Sequence, residues 1–414
     1  QEAAPGSFDE GVFDEVEDLW AVRMPGDEAP RLMQLDWVRQ HSYHAKKERR
    51  IRNFILEGKA EDGSVESSLL RLGKGVGPED VPKDVMEAIE ARGGRLVRHA
   101  LRLGYGNVGY RDALRRLLPS EVAVPTSYEI VGPIAHFNLD EEHWPHRHLI
   151  GRVCLDKNPQ LRTVVAKLGV LAGDFRTFDM EVIAGMNETQ VSLREFRLTL
   201  EFDFRHVYWN SRLSEERKRV ARQVKKADAL WDLCAGVGAM ALLCAKRGCR
   251  RVLANDLNPA AAEAASHNAA LNSLAIEVSN LDAGQLLQRL LAEGGGTRRA
   301  HAVLNLPETA VEILGSALRG ALEEEAPQGL GEAEQELLVH CYCFAHEEEE
   351  GEVEARLSFA LGRVPSDTMV RKVRYVAPGK VMYCIEFSVH IWRSEGRVGV
   401  LEARRERLPE RRIG

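Results

Sequence analysis

Residues 230–238, which read LWDLCAGVG, carry the clearest indication of the fold of this chain. A short apolar run ends at Asp232 and passes into a turn with two glycines, and residues with helical spacing follow. A second apolar run, 251–256, ends in another acid, and residues 258–271 again have the pattern of a helix. Strands that alternate with helices in this way predict an α/β fold with a mostly parallel sheet that helices cover on both faces.

The glycine turn is the first candidate for a ligand site. Gly236 and Gly238 let the backbone approach a ligand where a Cβ atom would collide, and Asp232 begins the same motif. Asp256 follows about twenty residues later, at the end of the next strand, where a carboxylate can accept hydrogen bonds from both hydroxyls of a ribose. Because a third glycine is missing from the turn, these residues alone fit NAD and S-adenosylmethionine almost equally well.

Two further features favour S-adenosylmethionine. The glycine turn is followed by a strand that ends in residues 255–259, NDLNP, a combination that is typical of methyltransferases. Asp282 comes where the third strand should end, so its carboxylate can meet the amino group of adenine beside the backbone of Ala283. The alternative is that Asp256 and Asp282 only cap the helices that follow them. The order of these features predicts a nucleoside site, which we expect to include Leu257.

The end of the fourth strand predicts where the methyl donor and the methyl acceptor meet. Residues 302–307 read AVLNLP, and Asn305 should project into the crevice at the switch point of the sheet. Many methyltransferases that modify exocyclic nitrogens have Asn/Asp-Pro-Pro followed by an aromatic residue here. Glu308 stands in place of that aromatic residue, which argues against an adenine-N6 or a glutamine acceptor.

Composition and periodicity divide the chain into five segments. Residues 1–30 are acidic and are expected to form a loose lead-in, and residues 31–122 have mostly helical spacing and should form a small N-terminal domain. Alternating strands predict an α+β middle domain over residues 123–210. The α/β domain should span residues 211–392, and the basic tail, 393–414, is expected to be disordered.

The charges of the chain are segregated. The formal net charge of −7 argues mildly against a nucleic-acid partner, but basic residues concentrate in 46–52, 92–116 and 212–226. Each basic cluster is either a phosphate-binding patch or a solvated helix face. No run of about 18 apolar residues lacks charges, so we expect no membrane-spanning helix.

The seven cysteines indicate a reducing compartment rather than a disulfide framework. Residues 340–346, HCYCFAH, invite a metal-site interpretation, but Cys-x-Cys lacks the usual zinc spacing and no second ligand pair follows. The alternation predicts a strand, which would put His340 and the two cysteines on different faces. We therefore expect no metal.

From about Ile130 to Val389 the chain resembles the eukaryotic and archaeal family of tRNA (guanine-37 N1)-methyltransferases. The motifs that carry the resemblance are AHFNL at 135–139, HLIG at 148–151, LDKNP at 155–159, VYWNSRL at 207–213, AGVG at 235–238, NDLNP at 255–259, NLP at 305–307, HCYCF at 340–344 and VAP at 376–378. The resemblance implies a class I, Rossmann-like methyltransferase domain that uses S-adenosylmethionine to methylate N1 of the guanosine beside the anticodon of tRNA. It also implies an N-terminal domain that contacts the outer corner of tRNA, a monomer, and a location in cytoplasm, nucleus and mitochondrial matrix.

Methylation of guanine N1 needs a base. This nitrogen carries a proton at neutral pH, so a base must remove the proton as the methyl arrives, and negative charge spreads onto O6. The resemblance places the base at Glu216, whereas Glu215 would point about 100° aside if the segment is helical. The alternative is that Glu216 pairs with a neighbouring arginine on a solvated helix.

The resemblance assigns four further residues to the site. Arg176 would stabilise the charge on O6, Tyr208 would contact the methyl donor or the target base, and Asn305 would fix the base and close the cofactor pocket. Tyr208 could equally be a core residue. Arg217 stands where many relatives have a His that contacts the methyl donor.

Other residues depart from the family or add to its charge. Cys234, Ala239 and Ala283 replace Phe, Pro and Gly of the relatives, and they concern the affinity for the methyl donor rather than the chemistry. Candidate contacts to tRNA phosphates are Lys157, Arg212, Lys218, Arg219 and Arg222.

Two other functions remain open from the sequence. The chain could methylate a different RNA or a small molecule, which the large middle domain and the basic stretches disfavour. It could also bind RNA without catalysis, against which the presence of Glu216, Arg176 and Asn305 counts.

Overall fold

The structure is a computed structural model, and it divides the chain into two compact units. It describes residues 6–43, 51, 53–59, 65–168, 179–294, 296–322, 335–347, 351–394 and 397–402. The first unit comprises residues 1–129, 137–166 and 182–186, and the second comprises residues 130–136, 167–181 and 187–414. The strands are β1 (Glu15–Pro25), β2 (Phe54–Lys59), β3 (Val65–Arg71), β4 (Arg95–Leu103), β5 (Tyr128–Val131), β6 (Ile134–Phe137), β7 (Thr163–Leu168), β8 (Asp179–Gly185), β9 (Gln190–Glu195), β10 (Leu198–Asp203), β11 (Ala229–Asp232), β12 (Arg251–Asn255), β13 (Glu277–Ser279), β14 (Arg299–Leu304), β15 (Gln335–His346), β16 (Met369–Ala377), β17 (Lys380–Ser394) and β18 (Arg397–Glu402). The α-helices are α1 (Ala29–Leu32), α2 (Asp36–His41), α3 (Lys83–Glu90), α4 (Tyr110–Leu117), α5 (Arg147–Lys157), α6 (Ser214–Gln223), α7 (Ala239–Lys246), α8 (Pro259–Leu271), α9 (Ala283–Glu293), α10 (Ala310–Leu322) and α11 (Glu352–Leu361).

The first unit contains an antiparallel sheet with the strand order β2-β3-β1-β4. Strand β1 lies inside this sheet, because it pairs with β3 on one side and with β4 on the other. Its residues Val22 and Met24 are buried in one core cluster with Leu70 and Ile89. The predictions of a loose lead-in and of a mostly helical segment after it are therefore wrong. The strands were missed because the partners of β1 come much later in the chain, whereas its exposed acids dominate the local composition.

A small sheet with the order β5-β6-β7-β8 follows along the chain. Strands β8 and β10 confirm the alternation of apolar residues that predicted strands in this part of the sequence.

The second unit is built around a sheet with the order β13-β12-β11-β14-β15-β17-β16, and β18 pairs with β17. The pairs β11–β12, β11–β14 and β14–β15 are parallel, which confirms the predicted α/β architecture. Trp231 on β11 is fully buried in a core that also contains Leu304, Val339 and, on α10, Leu314. Because β12 lies on one side of β11 and β14 on the other, the carboxyl end of β11 is a topological switch point, where α/β proteins bind ligands.

The hairpin β9-β10 belongs to the second unit and not to a separate middle domain. Asn268 on α8 and Asn272, directly after this helix, bind the backbone of the hairpin: the Asn268 Oδ1 accepts from the amide of Glu201 at 2.7 Å, and the Asn272 Oδ1 accepts from the amide of Thr199 at 2.9 Å. The sequence predicted a domain boundary at residue 210. These bonds explain why the structure has none there.

Part of the tail that the sequence predicted to be disordered forms a strand. Residues 397–402 form β18, which pairs with β17, and residues 403–414 lie outside the described residues. Among the helices that the structure describes, none is long and apolar enough to cross a membrane.

Candidate active site

A cleft opens in the second unit at the carboxyl ends of β11, β12 and β14. The predicted site residues that line it are Tyr208, Gly236, Asp256, Leu257, Asp282, Ala283 and Asn305. The predicted site residues that the structure describes but that do not line it are Glu216, Arg217, Asp232 and Gly238. The structure thus brings together both predicted nucleoside-binding carboxylates and the predicted amide.

The two glycines of the turn have different roles. Both have a left-handed backbone, with φ of +54° at Gly236 and +82° at Gly238, a conformation that favours glycine. Gly236 lines the cleft, and its amide donates to the carboxylate of Asp256 at 2.8 Å. A Cβ atom at Gly238 would lie 3.1 Å from the Cβ of Ala265, so this glycine lets α7 pack closely on α8. Gly238 therefore serves the packing of these two helices, and its contact with the cofactor stays a prediction.

The two carboxylates predicted to bind a nucleoside both line the cleft. Asp256 accepts from the amides of Gly236 and Asn258 at 2.8 and 3.0 Å, and burial raises its pKa. Asp282 is exposed and accepts from the amide of Gln285 at 2.9 Å, which caps α9. The helix cap considered as the alternative for Asp282 is present, but it engages only one carboxylate oxygen. A cap and a ligand contact are therefore compatible.

Asp232 lies behind the glycine turn and does not line the cleft. It is 2% exposed, and burial together with the nearby charge of Asp256 raises its pKa to about 7. The amides of Cys234 and Ala241 donate to its carboxylate. Because these bonds tie the turn to the first residues of α7, Asp232 supports the glycine turn, and its contact with a cofactor stays a prediction.

Asn305 and Tyr208 add neutral polar groups to the cleft. Asn305 follows the last residue of β14, and its side-chain amide has no hydrogen-bond partner among the residues that the structure describes. Such an amide offers two donors and an acceptor to the edge of a base. Tyr208 is 42% exposed, and its hydroxyl accepts from the side-chain amide of Asn210 at 3.1 Å. Tyr208 is therefore not a core residue.

Glu216 on α6 is held in a partly buried ion pair. Its carboxylate accepts two hydrogen bonds from the guanidinium of Arg219, at 2.8 and 2.7 Å, and a third from the hydroxyl of Tyr342 at 2.8 Å. The Glu216 side chain is only 10% exposed, so the arginine pair considered as the alternative exists, but not on a solvated face. Since Glu216 does not line the cleft, its role as a base stays a prediction.

Arg217, one of the two arginines that the sequence assigned to the site, does not line the cleft. Arg217 donates to the Glu195 carboxylate at 2.9 and 2.6 Å, and its guanidinium lies 4.6 Å from the centre of the Trp209 ring. These contacts join α6 to β9, and the predicted contact of Arg217 with the methyl donor is not among them. Arg176 lies within residues 169–178, outside the described residues, and its role stays a prediction.

Comparison with known proteins identifies the family. Residues 110–189 match the TYW2 N-terminal domain, and residues 191–326 match the TRM5/TYW2 methyltransferase domain. The tRNA (guanine(37)-N(1))-methyltransferase of Danio rerio is 38% identical over 346 residues, which are 80% of this chain and 71% of that protein. The protein of the same name from Phytophthora infestans is 37% identical over 313 residues, 74% of this chain and 73% of that protein. The chain belongs to the tRNA (guanine(37)-N(1))-methyltransferase family.

Solved structures agree with the fold. Trm5b from Pyrococcus abyssi superposes with a TM-score of 0.56 at 22% identity, covering 92% of this chain and 99% of that chain. The aTrm5 protein, solved in complex with tRNALeu, superposes with a TM-score of 0.62 at 20% identity, covering 88% of this chain and 98% of that chain. These similarities show the Rossmann-like fold of the family.

In this member of the tRNA (guanine(37)-N(1))-methyltransferase family, three antiparallel strands also contribute to the cleft. They supply Phe344 from β15, Arg374 from β16 and Met382 from β17. Arg374 donates to the Oδ1 of Asn210 at 3.3 Å. Phe344 ends the family motif HCYCF at 340–344, but the sequence analysis assigned it no role in the site. Arg374 and Met382 were not singled out, because they follow the glycine turn by more than one hundred positions and belong to no motif. The nearby family motif VAP at 376–378 was the available signal.

The departures from the family lie at or near the same cleft. Cys234 and Ala283 line it, and Ala239 is buried at the first position of α7. All three are small and uncharged, so they alter the packing around a ligand rather than the charge that it meets.

Proposed function

We propose that this chain transfers a methyl group from S-adenosylmethionine to N1 of guanosine 37 in tRNA. The observation that carries the proposal is the 38% identity, over 80% of the chain, with the Danio rerio protein that is named for this reaction. The cleft at the switch point of the sheet supports it, because its groups suit both partners of a methyl transfer.

The groups around the glycine turn fit the methyl donor. Asp256 would accept the ribose hydroxyls and Asp282 the adenine amino group, while Leu257, Ala283 and Ile313 provide apolar surface for the purine ring. S-adenosylmethionine supplies an electrophilic methyl group on a positively charged sulfur. The carboxylates of the cleft favour a ligand with that charge.

Glu216 is the proposed general base. It takes the proton from guanine N1, the electron pair of the broken N–H bond forms the new N1–C bond, and the S–C bond breaks with its electron pair remaining on sulfur. Asn305 would hold an edge of the base through its side-chain amide, and Tyr208 would pack beside it. Arg176 would offset the negative charge that develops on O6.

The position of Glu216 is close to the cleft although it does not line it. Leu213, three residues earlier, lines the cleft, and so does Phe344, which follows the Glu216 partner Tyr342 by two residues on β15. Residues two apart on a strand share a face and lie roughly 7 Å apart. A change of Glu216 rotamer, with partial loss of its bonds to Arg219, is therefore the movement that we expect when the base binds.

The target base must leave the stack of the anticodon loop to enter the cleft. Loop bases are already partly unpaired, so this costs little compared with a base in a duplex. The experiment that tests the proposed function is incubation of the protein with S-adenosylmethionine and an unmodified tRNA transcript, followed by nuclease digestion and mass spectrometry. We expect 1-methylguanosine at position 37 and none in a transcript with adenosine there. A methyl group only at another position would contradict the proposal.

Substitution of Glu216 by Gln tests the proposed base. The amide cannot accept the N1 proton, so we expect the single-turnover rate to fall about 10²–10⁴-fold, the usual contribution of a positioned base. Affinities for tRNA and S-adenosylmethionine should stay near normal. Glu215→Gln is the matched control, because Glu215 is 79% exposed and pairs with Lys218 on the helix surface. An unchanged rate in Glu216→Gln would remove Glu216 from the mechanism.

A further inference from the structure

A face of α6 covers one face of the antiparallel strands in the second unit, and polar side chains meet there. Glu216 and Arg219 lie three residues apart on the helix. The strand residues opposite are His340, directly paired with Glu386 across β15 and β17, and Tyr342, directly paired with Cys384. Because residues two apart on a strand share a face, all four strand residues point toward the helix. The two cysteines of HCYCF point the other way, into the apolar core, as the alternation predicted.

Hydrogen bonds join these residues into one continuous line. Arg219, which binds Glu216 through two of its nitrogens, donates with its third to the Oε1 of Glu386 at 2.8 Å. The Nδ1 of His340 lies 2.7 Å from the same oxygen, and the Nε2 of His340 lies 3.0 Å from the Nδ1 of His301. The Nε2 of His301 ends the line 3.3 Å from the carboxylate of Asp228. Both histidines are 1% exposed, so these contacts are shielded from bulk solvent.

Each histidine of this line faces the other histidine with one ring nitrogen and a carboxylate with the other nitrogen: His301 faces Asp228, and His340 faces Glu386. Burial, and then the neighbouring His340, lower the pKa of His301. Arg219 and His340 thus meet on the same carboxylate oxygen of Glu386.

Arg219 is the junction of this line. When Glu216 accepts a proton it becomes neutral, so the partly buried Arg219 keeps only one of its two charged carboxylate partners. Glu386 remains bound to Arg219 in that state. Although burial alone would raise its pKa, hydrogen bonds from His340 and Arg219 lower the pKa of Glu386 to about 2, so that it stays charged.

We propose that Glu386, held by His340, is a positioning residue that sets the strength of Glu216 as a base by sharing the charge of Arg219. This inference rests on the proposed function. The titratable and charged groups that face Glu216 are Arg219 on its own helix, Tyr342 on β15, and Cys384 and Glu386 on β17. Without Glu386, the full charge of Arg219 acts on Glu216, which then stays ionised more readily and removes the N1 proton less well.

The same side chains do not need a metal to account for their arrangement. Ligand atoms of His340, Cys384 and Glu386 lie within 4.8 Å of one another. Arg219 donates to both Glu386 and the sulfur of Cys384. The positive charge of this arginine is therefore already bound to two of the three side chains, and it would repel a metal ion.

Single-turnover methylation by the full chain, followed from about pH 5 to 9, tests the inference. We expect Glu386→Gln to lower the plateau rate about 10-fold and to move the acidic limb of the profile to lower pH, because loss of a neighbouring anion lowers the pKa of a carboxyl. Glu386→Asp, which keeps the charge, should recover most of the rate. Glu277→Gln is the control, since Glu277 is 54% exposed and pairs with Arg251 away from α6.

A double-mutant cycle separates this role from a purely structural one. In the Glu216→Gln background, Glu386→Gln should slow the reaction less than about 2-fold, since the base that it positions is gone. A 10-fold loss in both backgrounds, or an unchanged rate and limb in the single variant, overturns the inference. If Glu386→Gln does not fold, Arg219→Lys decides: the weaker ion pair should move the acidic limb to higher pH, and an unmoved limb overturns the inference. A normal rate in Glu216→Gln would instead refute the proposed base.

Discussion

The carboxylate of Asp256 contacts both the protein backbone and the cleft. It holds the glycine turn and the start of α8 through the amides of Gly236 and Asn258, and it also lines the cleft. The two backbone bonds fix its orientation before a ligand binds, so little side-chain entropy is lost on binding. A preoriented carboxylate at the end of β12 is therefore the group on which we expect the affinity for the methyl donor to depend most.

Asp256→Asn should weaken the binding of S-adenosylmethionine about 10–100-fold. Hydrogen bonds to a charged acceptor contribute roughly 1.5–3 kcal/mol, and the neutral amide loses that part for the ribose hydroxyls. Isothermal titration calorimetry measures the change. Glu263→Gln on the adjacent helix α8 removes the same charge from an exposed position and should bind normally. Equal affinity of the two variants would refute the assignment of the pocket.

At this scale the sequence predicted the residues that follow strands. Asp256, Asp282 and Asn305 each come at or just after the carboxyl end of a parallel strand, and all three line the cleft. Asp232 and Gly238 belong to the glycine motif at residues 232–238, but they serve the glycine turn and the packing of α7. Membership of a motif does not tell which way a side chain points, because that depends on neighbours that lie far away in the sequence.

Helix α8 connects the glycine turn with the hairpin β9-β10. The side chain of Asn268 is fully buried; its Nδ2 donates to the carbonyl of Val237 at 3.1 Å, and its Oδ1 accepts from the amide of Glu201 at 2.7 Å. One amide thus satisfies two backbone groups from different elements. The turn that carries Gly236 keeps its position through this contact.

Asn268→Ala should lower the free energy of unfolding by about 2–4 kcal/mol, because two buried backbone groups lose their partner. Denaturant unfolding followed by tryptophan fluorescence measures the loss, since Trp231 is buried in the same unit. The neighbouring His267→Ala removes an exposed contact with the Glu201 side chain and should change stability by less than about 1 kcal/mol. Similar losses in the two variants would show that Asn268 does not anchor the turn.

Elements with local signals were predicted, and those that depend on distant partners were not. The strands β11 and β12 are apolar runs next to glycine or acid, so a short window of sequence identifies them. Strand β1 has exposed acids at one end and pairs with β4, whose arginines at 95, 98 and 102 have the three- and four-residue spacing of a helix. Both stretches gain their strand character only when they pair. The contribution of β16 and β17 to the cleft was missed for the same reason.

Over the whole molecule, the structure separates basic residues that can meet RNA from those that bind other parts of the protein. Arg219 is 19% exposed, and its guanidinium is bound to Glu216 and Glu386. It is therefore not the surface contact to a tRNA phosphate that the sequence predicted. Arg212 and Arg222, by contrast, are exposed. A chain with a net charge of −7 can still bind an anion if such residues share one surface.

The salt dependence of tRNA binding tests this distribution of charge. Each phosphate contact that releases a counter-ion adds slightly less than one unit to the slope of log Kd against log salt concentration. The double variant Arg212→Gln, Arg222→Gln should therefore reduce that slope by about 1–2 and weaken binding of all tRNAs alike, as measured by fluorescence anisotropy between 50 and about 300 mM salt. Arg289→Gln, an exposed arginine on α9 that pairs with Glu293, is the control and should leave the slope unchanged. If the double variant keeps the slope of the unmodified protein, the phosphate contacts lie elsewhere on the molecule, and the segment that begins at Arg212 does not carry them.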